Sequence, residues 1–242
     1  MTLAADPSVL RGSDLFSTLS EAELRAVLDA GVIRRLAKGQ RAFAQGDLGV
    51  TCHSLLHGRI KVVKTRPDGG QSVLRFIGPG EMYGTVAAMM NQPFPADALA
   101  IVDSVEVVWT VSAFRELMVR FPEIGVRCMS CAGFRLMELQ ARLGEMSADR
   151  VERRIARTLS RLARQAGRRT PEGILIDFPI TRQDLAEMSG STLHTVSRTL
   201  AAWDHEGITE STRRHITIRK PHALVALAED LACDRTDIPA VV

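Results

Sequence analysis

Leu193, His194, Ser197 and Arg198 fall within the run TLHTVSRTLAAW, at separations that a helix would bring to one outward face. Arginine carries a planar fork of donors that matches the O6 and N7 acceptors of guanine, while serine and histidine can donate or accept at a base edge or a phosphate. The chemistry on offer is recognition of duplex DNA. Catalysis finds no footing. The chain has no nucleotide-binding P-loop and no zinc-hydrolase helix, and its His, Ser and Asp residues show no recognisable catalytic spacing.

Those side chains need a scaffold, and the flanking sequence supplies one. Val196, Leu200 and Trp203 recur at four and three, so one face of the helix packs while the four readers stay outside, with Thr192 as its cap. Upstream, Thr181 and Asp184 have capping-box spacing, and Leu185 and Met188 face inward. That first helix should end near Ser189, where Gly190 supplies the left-handed residue of a tight turn. Downstream, Ile208 to Ile218 alternates through a polar turn at Glu210, Ser211 and Thr212, as a β-wing would, with Arg213 and Arg214 near its tip. An ordinary αα-hairpin could show the first two features, but the wing and the basic half-helix favour a DNA reader.

Charge points the same way. Residues 147 to 220 hold 14 Lys and Arg against 9 Asp and Glu, whereas the remainder holds 17 against 19. A chain of net charge +3 thus concentrates its phosphate attraction in its C-terminal third. No apolar run approaches a membrane span and no secretion signal is visible, so a cytoplasmic protein without a membrane partner is expected. The four cysteines, Cys52, Cys128, Cys131 and Cys233, are too scattered for a disulfide scaffold. Cys128 and Cys131 could hold metal or cycle redox, or be two small packed side chains on a helix.

Residues 1 to 12 read as a loose tail, and Ser13 to Ala37 as helical, with Ser20 as a cap and Leu19, Leu24, Val27 and Leu28 on one face. Beyond Gly39 the texture changes to short alternating runs, Arg59 to Val63 and Val73 to Ile77 among them, with Pro67-Asp68-Gly69-Gly70 as a hairpin turn. A jelly-roll-like antiparallel barrel follows. Phe114 to Phe121 reads as a short helix, Pro122 restarts the chain, and Met129, Ala132, Leu136, Leu139, Leu143 and Met146 recur at alternating three and four. This seam either pairs two copies of the chain or covers the chain's own barrel. A break at Ser147-Ala148-Asp149 precedes a new helix from Asp149 to Gln165, then a polar loop over 166–172, a strand over 174–178, and a short helix over 221–231.

Taken together, these features resemble the Crp/Fnr family of bacterial transcription regulators over roughly residues 13 to 220. Within that family, Thr192 to Trp203 is similar to the NnrR-type subgroup, which regulates nitrite and nitric-oxide reductase genes. Ser197 and Arg198 match the pattern of Fnr-like members, whereas His194 stands where those members usually carry Glu. The resemblance implies an α+β fold: an N-terminal cyclic-nucleotide-binding-like β-roll over 13–120, a dimerisation helix over 121–146, a winged helix-turn-helix over 147–220, and an extension over 221–242. It implies a homodimer, an inverted-repeat operator with TTG-like half-sites, RNA polymerase as a partner, and an effector held in the β-roll near Glu81, Tyr83, Pro95, Ala96 and Leu139. The run from Gly78 to Gly84 is similar to the family's phosphate cassette. Pro95 and Ala96, however, stand where cyclic-AMP-binding members carry Arg and then Ser or Thr, and Leu139 stands where they carry Thr, so cyclic AMP is not the expected ligand. Oxygen-sensing members hold an iron–sulfur cluster on cysteines mostly near the N-terminus, and residues 1 to 51 contain none. The subgroup implies a response to nitric oxide with haem as the possible cofactor, for which His53 and His57 are the axial candidates; both could equally be ordinary residues on one face of a half-solvated strand. A regulator that needs no effector, and a module that acts on a protein partner, are the competing functions.

Overall fold

A computed structural model describes residues 7–212 and 215–229. The chain divides into two compact units between Ala141 and Arg142. In order, the first unit holds α1 (Ser8–Arg11), α2 (Glu21–Asp29), β1 (Val32–Leu36), β2 (Arg41–Phe43), β3 (Thr51–His57), β4 (Ile60–Thr65), β5 (Gln71–Ile77), β6 (Met82–Tyr83), α3 (Thr85–Met89), β7 (Asp97–Ala100), β8 (Ser104–Thr110) and α4 (Val111–Arg120). The long helix α5 (Pro122–Ala148) starts in this unit and ends in the second. There follow α6 (Val151–Ala166), β9 (Gly167–Thr170), β10 (Gly173–Ile176), α7 (Arg182–Ser189), α8 (Leu193–His205), β11 (Thr209–Ser211), β12 (Ile216–Ile218) and α9 (Pro221–Glu229).

The first unit is a β-roll of two four-stranded antiparallel sheets, ordered β1-β8-β3-β6 and β2-β7-β4-β5. Alternation gives the first sheet two apolar faces. Cys52, Leu56, Val107 and Trp109 pack against Leu24, Val27, Phe114 and Ile124 of the helices, and Leu36, Leu55 and Tyr83 pack with Ile60, Ile77, Ala98 and Ala100 of the second sheet. The β4–β5 hairpin turns at Asp68 and Gly69, where Gly69 takes φ +81° and the Asp68 carboxylate accepts from the Gly70 amide at 2.8 Å.

Several local expectations need correcting. The stretch before Gly12 is not all loose tail, because Ser8–Arg11 is helical and buries Leu10. Only the middle of 13–37 is helical: the capping box of Ser20 and Glu23 starts α2, but Val32–Leu36 pairs with β8 as an edge strand. Its inward Arg34 finds a buried carboxylate, so the polar strand is satisfied where an apolar pattern would have been expected. Residues 167–170 of the expected polar loop form an edge strand against β10, and Glu210 and Ser211 of the expected wing turn lie in β11. The break between the long helices falls at Asp149-Arg150, and α6 begins two residues later than expected. Arg213, Arg214 and Cys233 lie outside the described residues, as does the end of the helix expected over 221–231.

Helix α5 has two stripes one residue out of step. Ile124 is buried and Cys128, Cys131, Arg135 and Glu138 are half-buried, whereas Met129, Ala132, Leu136, Leu139, Leu143 and Met146 are all exposed. The apolar stripe therefore does not cover the chain's own barrel. Arg135 fixes the other stripe, its Nη2 donating to the Met82 carbonyl at 2.8 Å.

Candidate nucleic-acid interface and effector unit

In the second unit a four-stranded antiparallel sheet, β11-β12-β10-β9, shares a core with α6 to α9 that includes Ile155, Leu159, Leu162, Leu185, Val196, Leu200, Trp203, Ile216 and Ile218. The helix pair is built by its ends. Thr181 Oγ1 accepts from the Asp184 amide at 3.0 Å, and the Asp184 carboxylate accepts in return from the Thr181 amide at 2.9 Å. Gly190 closes α7 in the left-handed region at φ 59°, and Thr192 Oγ1 caps α8 by accepting from Thr195 N at 3.2 Å.

The arginines of α6 position this turn, a role that periodicity did not show. Arg154 donates from Nε to the Ser189 carbonyl at 2.9 Å and from Nη2 to the Gly190 carbonyl at 3.1 Å, satisfying the end of α7. Arg153 pairs with Asp149, Arg161 with Glu145, and Arg157 with both acids. Most of the α6 positive charge is thereby committed within the unit. Glu152 accepts from Trp203 Nε1 at 3.1 Å, which ties α8 to α6. Asp204 accepts from Thr209 Oγ1 at 2.6 Å and also from Ser211 Oγ, and Arg182 Nη2 donates to Ser211 Oγ at 3.3 Å. The first β-strand of the wing is thus bonded to both helices.

On that frame Thr192, Leu193, His194 and Arg198 are exposed and Ser197 is half-buried. Among the described residues neither His194 nor Arg198 has a hydrogen-bond or ion-pair partner, although Arg219 and Lys220 nearby in sequence are engaged by Glu210 and the Glu206 carbonyl. An arginine fork left free on an outward helix face can bind a base edge or a phosphate.

In the β-roll the expected effector residues go to different places. Glu81 accepts from the Gly78 amide at 2.6 Å and from Arg75 Nη2 at 2.8 Å, Pro95 is exposed, Ala96 is buried, and Leu139 lies on the exposed stripe of α5. Tyr83 is buried and its hydroxyl donates to Glu106. Glu106, fully buried on β8, also accepts from Arg34 Nε of β1 at 2.6 Å and from His53 Nδ1 of β3 at 3.1 Å. One carboxylate thus joins all four strands of its sheet. Burial pushes its pKa up, but the hydrogen bonds and charge of His53, the Tyr83 hydroxyl and Arg34 pull it further down, and it stays ionised. The same burial and the Glu106 charge hold the Tyr83 hydroxyl well above its ordinary range.

His53 does not fit haem ligation. Its Nδ1 bonds the Glu106 carboxylate and its Nε2 bonds Thr51 Oγ1 at 2.9 Å, so both ring nitrogens are engaged, and its ring packs among Phe43, Tyr83 and Phe94. Nor do His53 and His57 share a face: the β3–β8 register shifts between Leu55 and His57, which leaves His57 exposed and His53 buried. Cys128 packs against the apolar core, where burial lifts its thiol to about 11, and Cys52 is lifted to about 12. Neither is an activated thiol. Among the described residues no group of three or more His, Cys, Asp or Glu side chains could hold a metal ion, and no helix is long and apolar enough to cross a membrane.

Known families match both units: the cyclic nucleotide-binding domain over residues 33–121 and the Crp-like helix-turn-helix domain over residues 153–227. A nitrogen fixation regulation protein FixK of Rhizobium meliloti is 30% identical over 190 residues, covering 78% of this chain and 83% of the relative. The chain belongs to the Crp/Fnr family. Another Crp/Fnr relative, the cyclic AMP receptor protein of Thermus thermophilus, is 27% identical over 223 residues, which is 92% of this chain and 100% of that protein. The solved structure of FixK2 from Bradyrhizobium japonicum shares the Crp/Fnr fold with a TM-score of 0.72 at 19% identity, over 81% of this chain and 96% of that one. These relatives are regulators and not enzymes, and the chain is a Crp/Fnr-type DNA-binding transcription regulator.

Proposed function

We propose that two copies of the chain pair along α5 and present two α8 helices to an inverted-repeat operator with half-sites about one helical turn apart. The exposed stripe of α5 carries this reading. Met129, Leu136, Leu139, Leu143 and Met146 are each more than half exposed at coiled-coil spacing, and a monomer rarely leaves so continuous an apolar strip to water. Arg198 is the guanine reader, Ser197 assists at a neighbouring base or phosphate, and Thr192, Leu193 and His194 complete the contact face. Arg213 and Arg214, at the wing tip in sequence, are assigned to phosphate. Family analogy gives TTG-like half-sites and RNA polymerase as the partner that reads out the bound state.

The effector is not cyclic AMP. The run from Pro93 to Ala98 holds no cation to neutralise a cyclic phosphate, and Glu81 is already paired with Arg75. Leaving that phosphate unpaired would cost roughly several kcal/mol. The likeness of Thr192 to Trp203 to the NnrR-type subgroup supports control of nitrogen-oxide and denitrification genes in response to nitric oxide, sensed without His53 as a haem ligand.

Sedimentation of the purified chain at micromolar concentration, with titration of inverted-repeat and single half-site duplexes at one stated salt concentration, tests the reading. A dimer that prefers the inverted repeat supports it. A monomer, or equal affinity for random duplexes, rules it out. The same titration with nitric oxide and with cyclic AMP separates the effectors, and an affinity unmoved by nitric oxide removes that assignment.

A further inference from the structure

We infer that His194 is a second base-reading residue of α8 and that its protonation state decides whether it admits cytosine: only bases with a major-groove acceptor when charged, cytosine as well when neutral. The inference rests on the proposed reading of α8. His194 is exposed at the second position of a 13-residue helix, one turn before Arg198 on the same face, and has no partner among the described residues. Its neighbour Thr195 is held by the cap on Thr192, so the backbone that carries the ring is fixed.

The ring chemistry supplies the rest. Imidazolium has two N–H donors and no acceptor, so in the major groove it can bond only to acceptors, the O6 and N7 of guanine, the O4 of thymine or the N7 of adenine, and cytosine offers it none. Neutral imidazole keeps one bare nitrogen, which can accept from the exocyclic amino group of cytosine or adenine. A residue of this type changes its charge between about pH 5 and pH 8. No other described charge competes for the ring. Asp184 is held in its capping box with Thr181, Glu187 bonds Gln183, Arg182 reaches Ser211, and Glu210 is paired with Arg219. Arginine at position 198 keeps one charge state throughout, so it fixes the register while His194 varies.

The test selects from duplexes randomised across a half-site, using the full-length protein and His194→Gln, at about pH 6 and about pH 8. At one position in each half-site the wild-type ratio of the acceptor-bearing bases guanine, thymine and adenine to cytosine should fall about fivefold or more between the two conditions, with the ratio flat in His194→Gln, since its amide does not titrate. The other exposed histidines among the described residues, His57, His205, His215 and His222, are unchanged in that variant and so are controlled. A ratio equal at both pH values in the wild type, or a shift retained in His194→Gln, overturns the inference while leaving α8 as the DNA reader. Absence of any base preference at either pH overturns both.

Discussion

Replacing Glu106 by Gln tests whether one buried charge holds the first sheet of the β-roll together. The carboxylate accepts from Arg34, His53 and Tyr83, of which His53 and Tyr83 are buried and cannot turn to water. Glutamine keeps one oxygen acceptor but removes the charge and points an amide donor at groups that are themselves donors. Hydrogen bonds to a charged group are worth about 1.5 to 3 kcal/mol each. The Arg34 side chain is 39% exposed and can regain water, so its share is discounted, which leaves a loss of about 2 to 4 kcal/mol. The chain has two tryptophans, and in a Trp203→Phe background the buried Trp109 reports unfolding of this unit alone. Denaturant titrations of that background with and without Glu106→Gln give the difference directly. The sign with pH follows from the lowered pKa of Glu106: its contribution is full above the unfolded value of about 4.3 and is lost as pH falls through the lower folded value. The gap between the two proteins should be widest at neutral pH and close in acid. A loss below about 1 kcal/mol at neutral pH, or a gap that does not narrow in acid, would refute the reasoning.

Three further outcomes are expected. Gly190→Ala places a Cβ in the left-handed region, at a cost of about 1 to 2 kcal/mol to the second unit; its contact with Met146 Cε at 3.1 Å is with a flexible chain end, so the backbone dominates, and Trp203 fluorescence in denaturant measures it. Leu136→Glu combined with Leu143→Glu puts like charges on the exposed stripe of α5, and sedimentation should show monomers where the parent pairs, with the unfolding midpoint of the β-roll unchanged. Arg198→Ala should cost about 1 to 3 kcal/mol in operator affinity and relax preference at a single base pair, whereas a uniform loss across all sequences would make it a phosphate contact only.

Much of this organisation was legible where local chemistry decides local structure. Thr181 with Asp184, Gly190 and Thr192 are short-range signals, and each produces the cap or turn that its type favours. What stayed hidden depends on distant partners. Val32–Leu36 did not read as a strand because its centre is the charged pair Arg34-Arg35, and the partner that holds Arg34 is Glu106, 72 residues further on. The signal that could have revealed it is Glu106 itself, a lone acid in the apolar run VEVVW. Gly167–Thr170 read as a loop because an edge strand with exposed side chains needs no apolar pattern. Nothing in the spacing of the α6 arginines shows that the carbonyl groups of Ser189 and Gly190 wait opposite Arg154.

A rod gripped along one edge cannot roll. Between Ile124 and Glu138 the inner edge of α5 is held by the core at one point and by the Met82 carbonyl at another, so the angle at which Leu136 and Leu139 look outward is dictated by the barrel. Met82 is followed at once by Tyr83, one of the three groups clasping the Glu106 carboxylate. The carbonyl that steers the rod and the hydroxyl that clasps the carboxylate thus sit on adjacent residues of one two-residue strand.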